Sequence, residues 1–461
     1  MASLVRAAPA PCPDGLCLRT RASLSPQQVG LELGPLLSHG SSIFGPGDPR
    51  WANATARYQE YPAPDFTVAV LVAQESDVAV VVKYANSNSL PLYAVKRRYA
   101  LPISQARFKG FEVDMQLLTG IDIHPSRGSA AFQGGTYDRQ VMDTLWEHDY
   151  EGTTGSCDCG FYRMISDNIR CFTSHADLFW GMRGAGHSFG IVTSFEMNIY
   201  PRQFDSWYYK IYVFTQDTLE PLFEQLNRLN GNGTQPVELA VQYGLYTLDP
   251  TVSATEAIIW WTFAYAGTQS EAQLYLTPFD ELNPLSTIDG NVQFPQVPDV
   301  QGTGVHNTTC GKGLSRITGP AGLQVYNTTT QRQPYGLFNY NINEYPALNA
   351  SGVVIEGYSV AGVRRVESDS STYPFRDDYL LCKQSTITYK PNPRPDPIAI
   401  QWAEDNQRLW NKGQPTRKPH AYVNYASGTE SLEETYGHEP WRLRWLRKLK
   451  AQDDPEGRFS Y

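Results

Sequence analysis

The chain changes its sequence pattern near residue 204, and this change limits the folds that it can adopt. Before that point, residues 66–95 read as a strand, a helix and a second strand, because a β-branched apolar run is followed by helical spacing and another apolar run. After it, residues 207–214 and 257–265 are aromatic runs of the kind found in antiparallel sheets. A strand–helix–strand unit instead builds a parallel pair with a right-handed connection, so we expect two separate domains.

The pattern predicts an α+β protein made of three sequence segments. Residues 1–203 form an α/β part with an irregular start, and residues 204–385 form an antiparallel sheet backed by helices. Residues 386–461 follow, with a Pro-rich connector near their start. In this last segment we expect a short strand at residues 421–426 and two helices, at residues 397–412 and 441–451.

Charge and hydropathy exclude three classes of protein. The chain has 461 residues, with 38 Lys and Arg against 47 Asp and Glu, and its net charge is -9. Nucleic-acid binders and polybasic membrane binders depend on clustered Lys and Arg, so neither class fits. No stretch approaches the roughly 18 consecutive apolar residues of a membrane-spanning helix. Aromatic residues make up 12% of the chain, which suits a cleft for a planar ligand and equally suits a Tyr-rich sheet.

Cysteines and glycosylation sequons bear on the cellular compartment. The seven Cys lack the spacing of a zinc site, and their odd number leaves the disulfide pairing open. Residues 1–24 lack the sustained apolar core of a signal peptide. Five sequons nevertheless favour a glycoprotein of the secretory route, and they start at Asn53, Asn232, Asn307, Asn327 and Asn349. The sequence therefore leaves the localisation open.

Taken on their chemistry alone, the residues indicate neither a catalytic triad nor a metal site. Residues 147–149 combine Glu, His and Asp, but adjacent residues on a helix point in different directions, so a solvated helix end is the better interpretation. His187 lies in a Gly-rich segment, where ligand contact and backbone capping explain it equally well. The sequence also lacks the Gly-rich fingerprints of dinucleotide-binding and P-loop folds.

Short motifs lie in a definite order along nearly the whole chain. They are DPRWANATARY at residues 48–58, TGSCDC at 154–159, SDN at 166–168, DLFWGMRGAG at 177–186, FGIVTSF at 189–195, YVNY at 422–425, YG at 436–437, EPWRL at 439–443 and DPEGRF at 454–459. Each motif alone is weak. Together they resemble the fungal FAD-linked oxidoreductases of the berberine bridge enzyme-like branch of the vanillyl-alcohol oxidase superfamily, which has a PCMH-type FAD-binding domain.

The resemblance implies a fold and an activity. The FAD-binding domain would be split in sequence, with residues 1–203 and 386–461 on either side of an inserted substrate-binding domain at residues 204–385. FAD would take a hydride from a small hydrophobic or aromatic substrate and be reoxidised by O₂. The expected substrate is a secondary-metabolite intermediate, such as a polyketide, alkaloid or meroterpenoid alcohol.

The resemblance also points to site residues. Tyr422 and Tyr425 are the candidate catalytic residues, as a base or a substrate contact near the flavin. On the predicted strand, a period of two would place Tyr422 and Asn424 on one face, towards the flavin, and Tyr425 on the other. Packing of the interdomain sheet is the alternative role for all three. The expected cofactor-binding residues are Gly155, Ser156, Cys157, Asp167, Asn168, Gly190, Ile191, Thr193 and Asn424.

The chain departs from the family pattern where the cofactor would lie. Many family members attach FAD through a His in a Gly-Gly-His-Gly-type loop, but residues 95–102 read VKRRYALP here. The second attachment residue of the family is a Cys, which Cys157 matches, yet the Gly-rich stretch that follows it in the family is missing. A further segment is shortened, because only eight residues separate Asn168 and Asp177.

These departures affect how a cofactor would be held. Gly-rich turns present the N–H groups that offset a diphosphate, so their loss removes donors to the cofactor, and Lys96, Arg97 and Arg98 are candidates to contact the phosphates instead. Without the His, attachment at two residues is excluded, so we expect noncovalent FAD, with attachment at Cys157 alone as the alternative. The alternative function is a cofactor-free cyclase that holds a hydrophobic chain in a reactive conformer while Tyr or Arg polarises a carbonyl. A third interpretation is an incomplete gene model.

Overall fold

The computed structural model describes residues 4–5, 24–160, 169, 174–378, 380–391 and 395–459. Two predicted cofactor-binding residues, Asp167 and Asn168, lie outside these ranges. The α-helices are α1 Pro26–Leu33, α2 Trp51–Thr55, α3 Glu75–Ser87, α4 Asp138–Glu147, α5 Ala176–Ala185, α6 Leu219–Asn230, α7 Gln269–Asp280, α8 Val297–Val300, α9 Thr328–Glu344, α10 Asp396–Lys412, α11 Leu432–Tyr436 and α12 Pro440–Asp453. The strands are β1 Leu4–Val5, β2 Ser42–Phe44, β3 Asp65–Leu71, β4 Leu92–Val95, β5 Lys109–Asp114, β6 Ile121–His124, β7 Ser129–Gln133, β8 Tyr150–Glu151, β9 Ile191–Val192, β10 Ser194–Asn198, β11 Tyr200–Pro201, β12 Trp207–Phe214, β13 Val241–Leu248, β14 Ala257–Ala266, β15 Ser286–Val292, β16 Ser315–Leu323, β17 Gly352–Gly357 and β18 Leu380–Tyr389.

The strand–helix–strand pattern at residues 66–95 is confirmed by β3, α3 and β4. Both strands run parallel to β5, which lies between them in a four-stranded sheet of order β2-β3-β5-β4. The helix begins with a capping box between Gln74 and Asp77, which satisfies backbone N–H groups of its first turn. The apolar residues of strand and helix then form one core, which includes Val68, Val70, Val78, Val81 and Val82.

Residues 207–389 contribute a seven-stranded antiparallel sheet of order β15-β12-β14-β13-β17-β18-β16. One face packs against α6, α7, α9 and α10 and forms the largest apolar core of the described residues. On β14, Ile259, Trp261 and Phe263 are buried in this core, and the period of two turns the residues between them to the other face. The predicted antiparallel sheet backed by helices is therefore confirmed.

The two helices predicted for the C-terminal segment are confirmed as α10 and α12. α10 packs on the seven-stranded sheet through Trp402, and α12 packs on α5 through Leu446 and Leu449. α5 lies in a Gly-rich segment and is kinked at Arg183 and Gly184. None of the described helices has both the length and the apolar character that a membrane span requires.

The strand predicted at residues 421–426 is wrong, because this segment folds as a turn. The carbonyl of Tyr422 accepts the N–H groups of Tyr425 and Ala426, so the hydrogen bonds close within the segment rather than to a neighbouring strand. The argument that a period of two separates Tyr422 from Tyr425 therefore does not apply.

β5 carries two carboxylates into the interior of the protein. Glu112 and Asp114 are 0% and 1% exposed, and both accept hydrogen bonds from the guanidinium of Arg98. Arg98 is itself 4% exposed and has a left-handed backbone with a φ of 62°. Burial raises the pKa of both carboxyl groups, and the positive charge of Arg98 opposes that shift. Arg98 is thus the cation that compensates two buried acids.

Arg98→Ala should lower the free energy of unfolding by about 3–5 kcal/mol at neutral pH, because it leaves buried carboxylates without their cation. A carboxyl whose pKa is higher in the folded state binds more protons when folded, so its contribution to stability falls as pH rises and recovers on acidification. Urea unfolding should therefore show the variant regaining part of its loss between about pH 7 and about pH 5.

The matched control for that experiment is Lys109→Ala on β5, the strand that carries Glu112 and Asp114. The Lys109–Asp65 pair has side chains that are 73% and 63% exposed, so its loss should cost under about 1 kcal/mol at any pH. An equally small loss for Arg98→Ala would contradict the role assigned to Arg98.

Candidate functional site

A cleft of about 270 Å³ lies where the N-terminal sheets meet the C-terminal segment. It is lined by the ends of β4 and β7, by residues between 182 and 192, and by Asn424 of the turn. Four of the residues that line it are glycines, namely Gly134, Gly184, Gly186 and Gly190. A Cβ at Gly134 would lie 2.3 Å from the carbonyl of Val192, and Gly184 has a φ of +141°, so both positions require glycine. The space that a Cβ would fill is taken by neighbouring backbone, at Val192 beside Gly134 and at Tyr373 beside Gly184.

Three predicted cofactor-binding residues line this cleft, namely Gly190, Ile191 and Asn424. Thr193 lies just behind the wall, where its carbonyl accepts the N–H of Gly134 at 2.6 Å. Their part in holding a cofactor stays a prediction, but their placement around one cleft is consistent with it.

The other described members of the predicted set, residues 155–157, lie beside the seven-stranded sheet. Ser156 Oγ is 3.3 Å from the hydroxyl of Tyr358, and the Ser156 carbonyl accepts the hydroxyl of Thr303 at 2.6 Å. A Cβ at Gly155 would lie 3.1 Å from a carboxylate oxygen of Asp138. The structure therefore separates Gly155, Ser156 and Cys157 from the residues that line the cleft.

The basic run at residues 96–98 is divided among three environments. Lys96 lines the cleft. The guanidinium of Arg97 lies 4.2 Å from the ring centroid of Tyr137, and that of Arg98 lies in the interior ion cluster. The prediction of phosphate contacts is wrong for Arg98, because two buried carboxylates already neutralise its charge.

A buried carboxylate lies in a Tyr cluster on the sheet face turned away from the helices. Glu356 of β17 is 7% exposed and accepts hydrogen bonds from the hydroxyls of Tyr425 at 2.7 Å and Tyr358 at 2.8 Å. Tyr243 of β13 lies directly opposite Glu356 in the strand register. Burial, and then the negative charge of Glu356, raises the pKa of Tyr358 and of Tyr243 well above the ordinary value. Both phenols therefore stay protonated.

The turn at residues 421–426 brings the candidate catalytic residues into this cluster. The rings of Tyr422 and Tyr425 pack edge to face, with centroids 5.1 Å apart. Asn424 Nδ2 donates to the hydroxyl of Tyr422 at 2.8 Å, and Thr318 of β16 donates its hydroxyl to the Tyr425 carbonyl at 3.1 Å. The two tyrosines thus lie together rather than on opposite faces, and Asn424 connects them to the cleft.

Glu356 and Tyr358 are functional candidates that sequence reasoning missed. The signal was present, because a Glu inside the apolar run at residues 352–357 must find hydrogen-bond donors if a strand buries it. The donor could not be read from the sequence, since Tyr425 lies 69 positions further along the chain.

A second cavity, of about 430 Å³, lies beside the residues that anchor the turn. Asp378, whose side chain is 2% exposed, accepts a hydrogen bond from Arg417 and lies 2.9 Å from His420 Nδ1. His420 also stacks on Phe375, with ring centroids 4.0 Å apart. Because Arg417 and His420 shortly precede the turn, Asp378 fixes the start of the segment that carries the two candidate tyrosines.

Three cysteines that are scattered in the sequence meet near residue 157. Cys159 and Cys310 form a disulfide, and the three sulfur atoms of Cys157, Cys159 and Cys310 lie within 4.8 Å of one another. A metal ion would need them as thiolates, and the disulfide occupies two of the three.

The sequence matches known proteins along its whole length. Residues 66–169 match the family model described as "FAD binding domain". The "FAD-linked oxidoreductase anuG" of Penicillium roqueforti strain FM164 is 67% identical, over 100% of this chain and 96% of the relative. The "FAD-linked oxidoreductase OXR2" of Pyricularia oryzae is 41% identical, over 96% of this chain and 92% of the relative.

Solved structures resemble the fold at low sequence identity. The xylooligosaccharide oxidase from Myceliophthora thermophila C1, in complex with xylobiose, has a TM-score of 0.77 at 15% identity and covers 95% of this chain and 98% of its own. Wild-type BBE-like 1 of Physcomitrella patens has a TM-score of 0.75 at 15% identity, with 94% and 98% covered. GilR, in complex with pregilvocarcin, has a TM-score of 0.74 at 13% identity, with 91% and 99% covered.

The alignment with the Penicillium relative also shows how many aligned positions have no residue in this chain. It spans 491 positions, whereas this chain has 461 residues, so about 30 positions of the alignment have no residue here. That number supports the interpretation that internal segments of this chain are shortened.

Asp378→Ala should loosen the turn that carries Tyr422 and Tyr425, because it removes the acceptor shared by Arg417 and His420. Hydrogen–deuterium exchange should then be at least about tenfold faster at the amides of Tyr425 and Ala426, which corresponds to a loss of about 1.4 kcal/mol in local stability.

Asp377→Ala provides a neighbouring control. The Asp377 side chain is 67% exposed and pairs with Arg364 at the surface, so its removal should leave exchange in the turn unchanged. Equal exchange rates in the two variants would show that Asp378 does not anchor the turn.

Proposed function

Because the chain belongs to the FAD-linked oxidoreductases of the berberine bridge enzyme-like family, we propose that it oxidises a hydrophobic aromatic alcohol of secondary metabolism. It is an FAD-dependent oxidoreductase by that membership, and the substrate class and the proton path are our proposal. One observation carries it: the buried Glu356 accepts the hydroxyl of Tyr425 at 2.7 Å, next to the turn residue that lines the cleft.

The residues of the cleft fit FAD. Four glycines line the cleft, Asn424 would offer an amide group, and Lys96 would offset negative charge. When bound, FAD supplies a hydride acceptor that O₂ reoxidises. No His is available in the loop at residues 95–102 for covalent attachment, so we propose that the cofactor is held noncovalently.

The chain's own residues would handle the proton of the substrate hydroxyl. Tyr425 would take that proton while it passes its own proton to Glu356, the acceptor of its hydrogen bond. Tyr358 donates a second hydrogen bond to Glu356 and so keeps the carboxylate oriented towards the tyrosines. Asn424 donates a hydrogen bond to the hydroxyl of Tyr422. The ring of Tyr422 packs against the ring of Tyr425 and would fix the orientation of the Tyr425 ring.

Aromatic walls support a flat, hydrophobic substrate. Tyr243 and Tyr358 adjoin Glu356 on the sheet, and Tyr373 packs edge-on against Tyr422 with centroids 5.9 Å apart. Such rings offer apolar area together with a polar tip. GilR, a similar fold, catalyses the terminal step of gilvocarcin biosynthesis, whereas the xylooligosaccharide oxidase binds xylobiose. The many tyrosines around Glu356 favour the aromatic class for this chain.

We also propose that the chain divides into a split cofactor-binding domain, residues 1–203 and 386–461, and an inserted substrate-binding domain at residues 204–385. The seven-stranded sheet supports this division, because six of its seven strands lie within residues 204–385, and β18 starts there and runs on to Tyr389.

The purified protein should show flavin absorption bands that pass entirely into the filtrate after denaturation and filtration, because the cofactor has no covalent link. Cys157→Ala should have the same flavin content as the natural protein. Flavin that stays with the denatured chain and is lost in Cys157→Ala would reveal attachment at that residue. A colourless, folded protein that binds no added FAD would instead favour the cofactor-free cyclase.

Glu356→Gln and Tyr425→Phe should each slow flavin reduction by about 10²–10⁴-fold, because each removes a member of the proton path. The measurement is anaerobic stopped-flow reduction of the holoenzyme by vanillyl alcohol or naphthalene-2-methanol, with flavin content checked first. Xylobiose tests the competing sugar class, and we expect no reduction by it.

Tyr340→Phe is the control for these variants, since Tyr340 is 59% exposed on a helix and should leave the rate unchanged. Unaltered rates in both Glu356→Gln and Tyr425→Phe would remove this pair from the reaction, and reduction by xylobiose alone would overturn the substrate class.

A further inference from the structure

Three sulfur atoms meet where the loop after β8 contacts the segment before β16. The disulfide between Cys159 and Cys310 joins positions 151 residues apart. Cys157 is outside that bond, and its Sγ lies 2.8 Å from Sγ of Cys159 and 3.8 Å from Sγ of Cys310. A thiol in contact with both halves of a disulfide has the proximity that sulfur exchange requires.

We propose that these sulfurs form a thiol–disulfide exchange site in which Cys157 and Cys310 compete for Cys159. The Cys157 thiol gives its proton to solvent, and its sulfur attacks Sγ of Cys159, which is the nearer of the two. The Cys159–Cys310 bond breaks as the Cys157–Cys159 bond forms, and Cys310 leaves as a thiolate that takes up a proton. One disulfide and one thiol exist before and after, so the step needs no external oxidant or reductant.

Exposure makes Cys157 the attacking residue. Cys157 is half-buried, whereas Cys159 and Cys310 are 1% and 6% exposed. Arg316 is 3% exposed, and its guanidinium lies 3.9 Å from the ring centroid of Tyr58. Burial raises the pKa of Tyr58 to about 12, with Arg316 opposing the rise and Cys157 adding to it, so the ring lies within the field of both groups. Arg316 and Cys157 thus both lie near the Tyr58 ring.

The exchange would change how the loop at residues 156–160 is tied to the segment before β16. The Cys159–Cys310 bond is a covalent tie between them, and the hydrogen bond from Thr303 to the Ser156 carbonyl is a second, weaker one. Ser156 in turn lies 3.3 Å from the hydroxyl of Tyr358. Breaking the covalent tie thus acts on a loop that contacts the Tyr cluster, but the exchange itself does not depend on the reaction proposed above.

Disulfide mapping of the holoprotein tests this inference. The protein is incubated at about pH 8 to allow exchange, quenched in acid, denatured, alkylated with N-ethylmaleimide and digested with pepsin for mass spectrometry. We expect two forms. One links Cys159 to Cys310 with Cys157 alkylated, and the other links Cys157 to Cys159 with Cys310 alkylated and makes up at least about a tenth of the total.

Cys157→Ser should lower alkylation of Cys310 at least about tenfold, because the competing thiol is gone. Ser156→Ala, which keeps all three cysteines, should retain both forms. If Cys157→Ser fails to fold, the natural protein is alkylated at Cys157 under native conditions before incubation, and the second form should then not appear. A natural protein with only the Cys159–Cys310 form, or alkylation of Cys310 that is unaffected by loss or blocking of Cys157, would overturn the proposal.

Discussion

The buried carboxylate of Glu356 imposes a requirement that the surrounding structure meets. A carboxylate at 7% exposure is costly unless hydrogen-bond donors satisfy it. Tyr358 comes from the end of the same strand, but Tyr425 comes from a turn 69 residues later. The C-terminal segment must therefore return across the sheet before the site exists, and Asp378 holds the start of that segment through Arg417 and His420. The hydrogen bonds from Tyr425 to Glu356 and from Thr318 to the Tyr425 carbonyl therefore hold the returning segment against the seven-stranded sheet.

The cofactor side of the cleft is built differently from the pattern of the family. Where the family has a glycine loop, this chain has a basic run whose members serve different purposes. Arg98 compensates two interior carboxylates, and Lys96 lines the cleft. Glycine backbone reaches the cleft from other elements, at Gly134, Gly184 and Gly190. The chain thus keeps a cleft lined by glycine backbone, although its loop at residues 95–102 has no His for covalent attachment.

The shortened loop after β8 brings three sulfur atoms close to the seven-stranded sheet. Only Asp158 separates Cys157 from Cys159, and the fold places Cys310 against both. The family resemblance describes Cys157 as an attachment point for flavin, whereas its surroundings here are sulfur atoms and the loop that contacts Tyr358. Without the Gly-rich stretch that follows this Cys in the family, Cys157 lies in a different environment although its motif is kept.

Local patterns determine a large part of this protein before any tertiary contact is considered. The strand–helix–strand unit at residues 66–95, the aromatic strands of the large sheet and helices α10 and α12 follow from apolar periodicity, because periodicity records which side of an element is buried. The motifs spread along the chain were enough to place it in its family. Residues 421–426 alternate like a strand but fold as a turn, since their hydrogen bonds close locally and Thr318 holds them from another strand. The pairing of Glu356 with Tyr425, the burial of Arg98 and the meeting of the three cysteines were decided only by tertiary packing, because each joins side chains whose contact leaves no local periodic signal.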